Sequence, residues 1–398
     1  MGRGVKGREP MHLRILAAMA AVVGLAAPAW SAELPKTVTL TAYTTTSSGY
    51  AQSIAIGGML KKKYDVELRV IPGKNDVSRM IPVKKKRAHL CACGIAASFT
   101  QEGVYLFGSK SWGPMAVRNL YNNAKGPHGL MPVVAGDADI KTAADLKGKK
   151  MAWIKGAPAL NVNLSALMAF GGVTWDDVTR VEFPGWKAAV DGVIGGQADA
   201  VMVSTMSPHV NRLMASPRGN WWVSLPHDDK EGWARAKAVA PFWNPNRVTL
   251  GIGLENNISG EPEFDGQMYP YPIVIGLADD LSDDFTYAMT KAVMEGYEGA
   301  DGYGTLKGTA GYQLEAQNLK WVFPYAGGSI RYYKEAGAWG AEEEAHNNAL
   351  LKRQDVLIGA WKTYYAANKD MEDDAFEAGW AEARKEALTA AGLDAPFS

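Results

Sequence analysis

Apolar and polar residues alternate over residues 38–43 and again over 66–71, and each alternation gives way to a run of hydroxyl, glycine or proline residues. Strict alternation of this length predicts a short strand with one face in a core. After the first strand come Thr44, Thr45, Thr46, Ser47, Ser48 and Gly49, then apolar positions at helical spacing over 50–60. After the second, Pro72 and Gly73 turn the chain, and Asn75 and Asp76 are suited to cap a helix over 77–86. A third strand is predicted over 89–94. Strand, loop and helix following one another twice predict an α/β sheet with parallel strands.

The same pattern returns after Pro127 and Pro132. Residues 130–135 read as a strand, 141–149 as a polar helix and turn, and 151–154 as a strand that ends in the loop 155–161. A helix to Phe170, a strand over 181–183, a helix over 186–195 and a strand over 198–203 running into Ser204 and Thr205 complete a second α/β unit. Residues 216–268 are rich in Pro, Gly, Asn and Trp with weak periodicity and are expected to form irregular surface and a return linker. Residues 270–277 read as a strand, Ser282 as the cap of a helix over 285–298, and the Ala- and Glu-rich pattern beyond Ile330 as helices. There is no tandem repeat.

The N-terminus changes the picture of where the chain works. Arg3, Lys6, Arg8 and Arg14 precede the apolar run 15–25, and small residues at 27–31 suit a signal peptidase. Residues 1–32 are therefore expected to be a signal peptide, cut near 30–33, with Met1 or Met11 as initiator. The run is short of the roughly 20 residues that span a bilayer, and no cysteine marks a lipid anchor. A periplasmic, soluble product is expected, not itself membrane-embedded.

The 42 basic and 42 acidic residues balance, and without residues 1–32 there remain 38 against 41. Such a balance gives no reason to expect nucleic-acid binding. Cys91 and Cys93, two apart in a predicted strand, would need unusual backbone geometry to bond, so no disulfide framework is expected. His89 shares their face, and three such residues could begin a metal site, but the spacing is not that of a zinc finger and buried cysteines are common. Neither a metal nor a cofactor is predicted. No nucleophile elbow, phosphate loop or metalloprotease pair is present, so no catalytic residues are assigned and the chain is read as not an enzyme.

Residues 41–97, 140–150, 188–200 and 277–297, and above all Arg331-Tyr-Tyr-Lys-Glu-Ala-Gly337, resemble the TAXI family of TRAP-transporter solute-binding subunits. The resemblance runs in order over about residues 38–337. It implies a two-domain type II periplasmic-binding-protein fold with a cleft between lobes, capture of a small organic anion such as a carboxylate or amino acid, and delivery to a TRAP membrane subunit. Proteins of similar shape that make a pyrimidine from their own histidine carry a cysteine-rich signature, which is absent. The alternative partners are a membrane sensor or an ABC-type permease. This chain departs from the family's glycine-rich first loop at 44–49, ends its third strand in Cys93-Gly94, has Lys155-Gly-Ala-Pro-Ala-Leu-Asn161 in the second domain, and extends some sixty residues past the signature.

On this reading, residues 33–128 and 269–337 form lobe one, 129–268 lobe two, and 338–398 extra C-terminal helices packing on lobe one. Hinges are expected near 126–131 and 268–273. Ligands of such sheets bind at the carboxyl ends of strands. Thr46, Ser47 and Ser48 offer hydroxyls and N–H groups at a helix start, which favours a carboxylate, though the same residues make an ordinary cap. Asn75 and Asp76 divide evenly between capping and ligand contact. Lys155 and Asn161 lie on the facing loop, with Lys155 a counter-charge or a solvated lysine. Trp186, Tyr43 and Tyr271 are placed to stack on a flat ligand portion or to pack in the core, as is Trp153. Ser204 and Thr205, at a strand's end, complete the candidate ligand-binding set.

Overall fold

The computed structural model describes residues 1, 2, 4, 33–123, 125–268, 271–299, 302–305 and 309–397. The expected signal peptide lies almost wholly outside them, as do most of its cleavage window and Tyr269 and Pro270 of the second hinge. Residues from Ala32 onward form one compact unit, distinct from Met1–Ser31.

The alternating segments become strands as expected. In order come β1 (Thr37–Ala42), α1 (Ser48–Tyr64), β2 (Glu67–Pro72), α2 (Asp76–Lys84), β3 (Leu90–Cys93), α3 (Ala96–Glu102) and β4 (Val117–Tyr121). The chain continues through β5 (Leu130–Ala135), β6 (Lys150–Ile154), α4 (Pro158–Phe170), β7 (Thr179–Phe183), α5 (Trp186–Ile194), β8 (Ala200–Ser204), α6 (Pro208–Met214) and β9 (Asn220–Trp222). Then follow α7 (Lys230–Val239), β10 (Pro245–Val248), β11 (Phe264–Gln267), β12 (Ile273–Leu277), α8 (Asp283–Glu295), α9 (Gly327–Glu335), α10 (Ala341–Asn368) and α11 (Asp373–Ala390).

Two five-stranded sheets share one plan: β2-β1-β3-β12-β4 in the first lobe and β7-β6-β8-β5-β9 in the second. Four strands of each run in one direction, while β12 and β5 are antiparallel to their neighbours. These two are the strands that follow a passage from the other lobe, so the sheets are mixed where the sequence suggested purely parallel ones. Val38, Leu40 and Ala42 of β1 and every residue of the central β3 are buried. The fold is the two-lobed α/β fold that the pattern of strands and helices predicted.

Three expectations need correction, and one region not anticipated is added. Residues 143–146 form only a 3₁₀ turn, because Thr142 and Asp145 close a capping box on each other (Thr142 N to Asp145 Oδ2, 2.7 Å). The stretch 216–268 is not irregular throughout: it contributes β9, α7 and the antiparallel pair β10/β11. Aromatic packing rather than periodicity organises it, with Trp222, Trp243 and Phe264 buried. Thirdly, Cys91 and Cys93 are bonded to each other, their Cα atoms 5.2 Å apart. So short a loop removes little freedom from the unfolded chain, and stability rests on packing. Lastly, α3 and β4, which no clear alternation announced, complete the first lobe.

The C-terminal helices are tied to the first lobe by a buried cluster of charges. Glu102, the last residue of α3, receives Arg353 Nε and Nη2 at 2.6 and 2.7 Å and also Arg384 Nη2. Trp380 Nε1 donates to Gly103 O at 2.6 Å. None of the described helices is long and apolar enough to cross a membrane.

Candidate functional site

The loops that leave the carboxyl ends of the strands in both lobes face one another, the position at which such sheets bind ligands. On the first lobe, β1 ends in Tyr43 and the hydroxyl loop, where Ser47 Oγ caps α1 by accepting from Tyr50 N at 3.1 Å. The β2–α2 loop is held by a reciprocal box between Asn75 and Ser78. On the second lobe, the β6 loop enters α4 through Gly156 and Pro158, the β7 loop enters α5 at Trp186, and the β8 loop enters α6 through Ser207.

These loops touch. Asn75 Nδ2 donates to Lys155 O at 3.0 Å, Val77 N to Gly156 O at 3.2 Å and Trp186 N to Lys74 O at 3.2 Å. Thr46 Oγ1 meets His209 Nε2 at 2.7 Å. The lobes are closed on each other. Gly156 is what permits the approach: its φ is +75°, and a Cβ there would stand 2.3 Å from Asn75 Nδ2.

Beneath this seam lies a buried charge cluster. The Asp76 carboxylate accepts from Arg79 Nη2 at 2.6 Å and from the Tyr43 hydroxyl on one oxygen, and from Ala159 N of α4 at 2.8 Å on the other. A first-lobe carboxylate thus sits at the positive end of a second-lobe helix. Arg79 is fully buried, donates through Nη1 to Ala92 O at 2.8 Å and lies over the Tyr43 ring at 3.6 Å from its centre. Its Nε is buried with no hydrogen-bond partner among the described residues. Burial opposes the Arg79 charge, but Tyr43 and Asp76 outweigh it and hold the guanidinium above its ordinary pKa. Burial, then Asp76, push the Tyr43 phenol far up, so it stays a neutral donor.

Aromatic rings line the cluster. Trp186 stands 5.7 Å from Tyr43 and edge-on to His209 at 4.9 Å, and Tyr271 stands 6.4 Å from Tyr43. A Cβ on Gly49 would meet the Tyr271 hydroxyl at 2.3 Å, so the start of α1 is bare backbone where this ring lies on it. His209 Nδ1 faces Arg212 Nη1 at 3.0 Å. An arginine can only donate, so Nδ1 accepts and Nε2 carries the proton toward Thr46. Burial, then Arg212, lower the His209 pKa to about 4.

The structure therefore gathers Tyr43, Thr46, Ser47, Asn75, Asp76, Trp186 and Tyr271 around one seam, with Ser48 buried as the first residue of α1. Five expected residues are engaged elsewhere. Lys155 turns its ammonium outward onto Glu182 at 2.8 Å and gives the seam only its carbonyl. Asn161 spends its amide on Ile154, accepting from N and donating to O at 3.0 Å each, which pins α4 to β6. Thr205 Oγ1 donates to Leu250 O at 2.9 Å, and Ser204 Oγ accepts from Met206 N at 3.3 Å, both bracing their own loop. Trp153 packs edge-on against Trp175 instead of the cleft. Arg79 and His209 were not anticipated. Arg79 was legible: Asp76, Arg79, Met80 and Val83 share one helix face, and two charges on an otherwise apolar face call for a buried partner.

Two α/β lobes meeting across the carboxyl ends of their strands, with a charged and aromatic cluster between them, define a cleft-type two-lobed protein. The NMT1-like family model matches residues 44–337, and the chain belongs to that family. No curated protein matches it. Among solved structures, the alkanesulfonate-binding protein from Xanthomonas axonopodis pv. citri bound to MOPS is similar at 13% identity and a TM-score of 0.43, over 87% of this chain and 98% of that one. An ancestral arginine-binding protein bound to arginine is similar at 15% identity and a TM-score of 0.40, over 68% and 96%. The periplasmic aliphatic sulphonate binding protein from Escherichia coli is similar at 18% identity and a TM-score of 0.34, over 48% of this chain and only 56% of that one.

Proposed function

We propose that this chain is an extracytoplasmic solute-binding protein that takes a small organic anion between its lobes and hands it to a membrane permease. The observation that carries this reading is the Asp76 carboxylate, held at once by Arg79 and by Ala159 N–H of the opposite lobe. A site that already binds a carboxylate across two lobes has the donors that a ligand's acid group needs. When the lobes part, a ligand's carboxylate takes the α4 N–H and the hydroxyls of Thr46 and Ser47, while Tyr43, Tyr271 and Trp186 cover a flat or apolar portion. Reclosure then depends on the ligand favouring the closed state over the open one. The chain serves in the periplasm after removal of its leader, and no step of this cycle requires catalysis.

The order of motifs over residues 38–337 favours a TRAP-type permease as the recipient. A gene for a fused large membrane subunit beside this one supports that recipient, whereas a neighbouring ATP-hydrolysing subunit assigns an ABC-type permease instead.

The direct test is a thermal-shift panel of carboxylates, amino acids, aromatic acids and sulfonates on the mature chain. One acid class raises the melting temperature by mass action, and Trp186→Ala removes the shift. A panel with no shift, or a shift untouched in Trp186→Ala, removes the cleft from consideration.

A further inference from the structure

A groove of about 490 Å³ opens beside the seam, lined by Lys74, Val77, Trp112, Lys155, Pro184 and Glu377 among others. Its volume is within the range of small-molecule sites, roughly 300–1,000 Å³. It is separate from the Asp76 cluster and remains open while the lobes are closed. One border is the seam itself, where Lys74 and Lys155 come from the two lobes and are joined through Asn75. The other is built by the segment that carries Trp112 and by α11, which carries Glu377. Residues beyond 337 lie outside the family match, and the Glu377 wall is among them.

The groove combines an apolar floor with charges of both signs. The Trp112 ring is fixed edge-on to Phe107 at 5.0 Å, and one cation already lies by it, Lys84 Nζ at 4.5 Å from its centre. Val77 and Pro184 add apolar surface. The α11 helix cannot drift, because Trp380 and Arg384 are buried and bonded to Gly103 and Glu102. Burial, then Asp374 and Asp373, raise the Glu377 carboxyl above its ordinary pKa, and a cation beside it would relieve both.

We propose that this groove is a second small-molecule site, and that it takes a zwitterion with an apolar body: the cationic group faces Glu377, the anionic group faces Lys74, and the body lies on Trp112. A free α-amino acid with a large apolar side chain has this chemistry. The proposal does not depend on the reading of the central cluster.

Ligand-observed NMR and calorimetry on the mature chain test it with three probes: phenylalanine, its amide, which lacks the anionic group, and its N-acetyl form, which lacks the cation. Phenylalanine is expected to bind more tightly than either relative. Glu377→Gln weakens phenylalanine and the amide by about tenfold and leaves the N-acetyl form unchanged, and Trp112→Ala weakens all three. Glu377 is half-buried on a helix surface, so its glutamine variant keeps the fold, which an unchanged melting temperature checks. Binding that survives Glu377→Gln and Trp112→Ala but is lost in Trp186→Ala overturns the groove and leaves the central cleft standing. No binding of any probe up to about 10 mM also overturns it, without bearing on acids that bind the cleft.

Discussion

Two buried carboxylate–arginine clusters occur in this molecule, and they differ in what surrounds them. At Glu102, two arginines, Arg353 and Arg384, converge on one carboxylate from the C-terminal helices, and Arg384 also bonds the backbone carbonyls of Glu102 and Pro396. At Asp76, a single arginine from the same helix shares the carboxylate with a tyrosine and with a backbone N–H of the other lobe, and an Arg79 nitrogen is left over. The first cluster joins elements that have no reason to separate. The second crosses a seam of loops that can. A buried ion pair is weak evidence for stability or for function by itself; what distinguishes the two is whether the partners belong to bodies able to move apart.

The comparison can be broken by experiment, beginning with the larger effect. Glu102→Gln strands two buried guanidinium groups and is expected to cost about 3–5 kcal/mol, read as a lower urea midpoint with α10 and α11 cut early by protease. Asp76→Asn strands Arg79, but the lobes can part and hydrate it, so the expected loss is smaller, about 1–3 kcal/mol. Its signature is a larger radius of gyration in solution scattering. An equal loss in both variants with unchanged scattering would make Asp76 another structural staple.

Gly156→Ala sharpens the same contrast. The alanine needs φ near +75° and space that Asn75 holds, so scattering should report an opened molecule while urea unfolding shows a stability loss of about 1–2 kcal/mol.

The smallest effect is one of pH. His209 has its pKa lowered from 6.5 to about 4 in the closed molecule. Between those values the open or unfolded chain takes up a proton that the closed state refuses, so closure weakens as pH falls through this window and is unaffected above it. Arg212 and Lys187 oppose the proton and Asp191 favours it. His128, lowered to about 4 by burial, titrates over the same range. The part of the pH dependence that disappears in His209→Gln belongs to the latch with Thr46; a profile identical to wild type assigns it all to His128.

Much of the lobe architecture was legible because its signals are local. Alternation over residues 38–43 and 66–71, and the Asn75 and Ser47 caps, depend on neighbours within a few residues, and they became β1, β2, α2 and α1. The stretch 216–268 was not legible, since β10 and β11 pair across a long loop and Trp222, Trp243 and Phe264 are organised by contacts distant in sequence. For the site, residue type at a strand's end pointed to Tyr43, Thr46, Asn75, Asp76, Trp186 and Tyr271. The same criterion also selected Lys155, Asn161, Ser204 and Thr205, whose polar atoms are spent on Glu182, Ile154, Met206 and Leu250.

The sequence by itself determined which segments alternate, which residues cap, and which loops stand at the carboxyl ends of strands, because each follows from the period of the backbone and the chemistry of a few adjacent side chains. Only the tertiary structure decided where a side chain's hydrogen bonds go once two lobes meet. It set Asp76 against a helix from the other lobe, made Glu102 the anchor of the C-terminal helices, and put Glu377 and Lys74 on the walls of one groove. These are pairings over long sequence separations, and a buried polar group takes whichever partner the packing brings within reach.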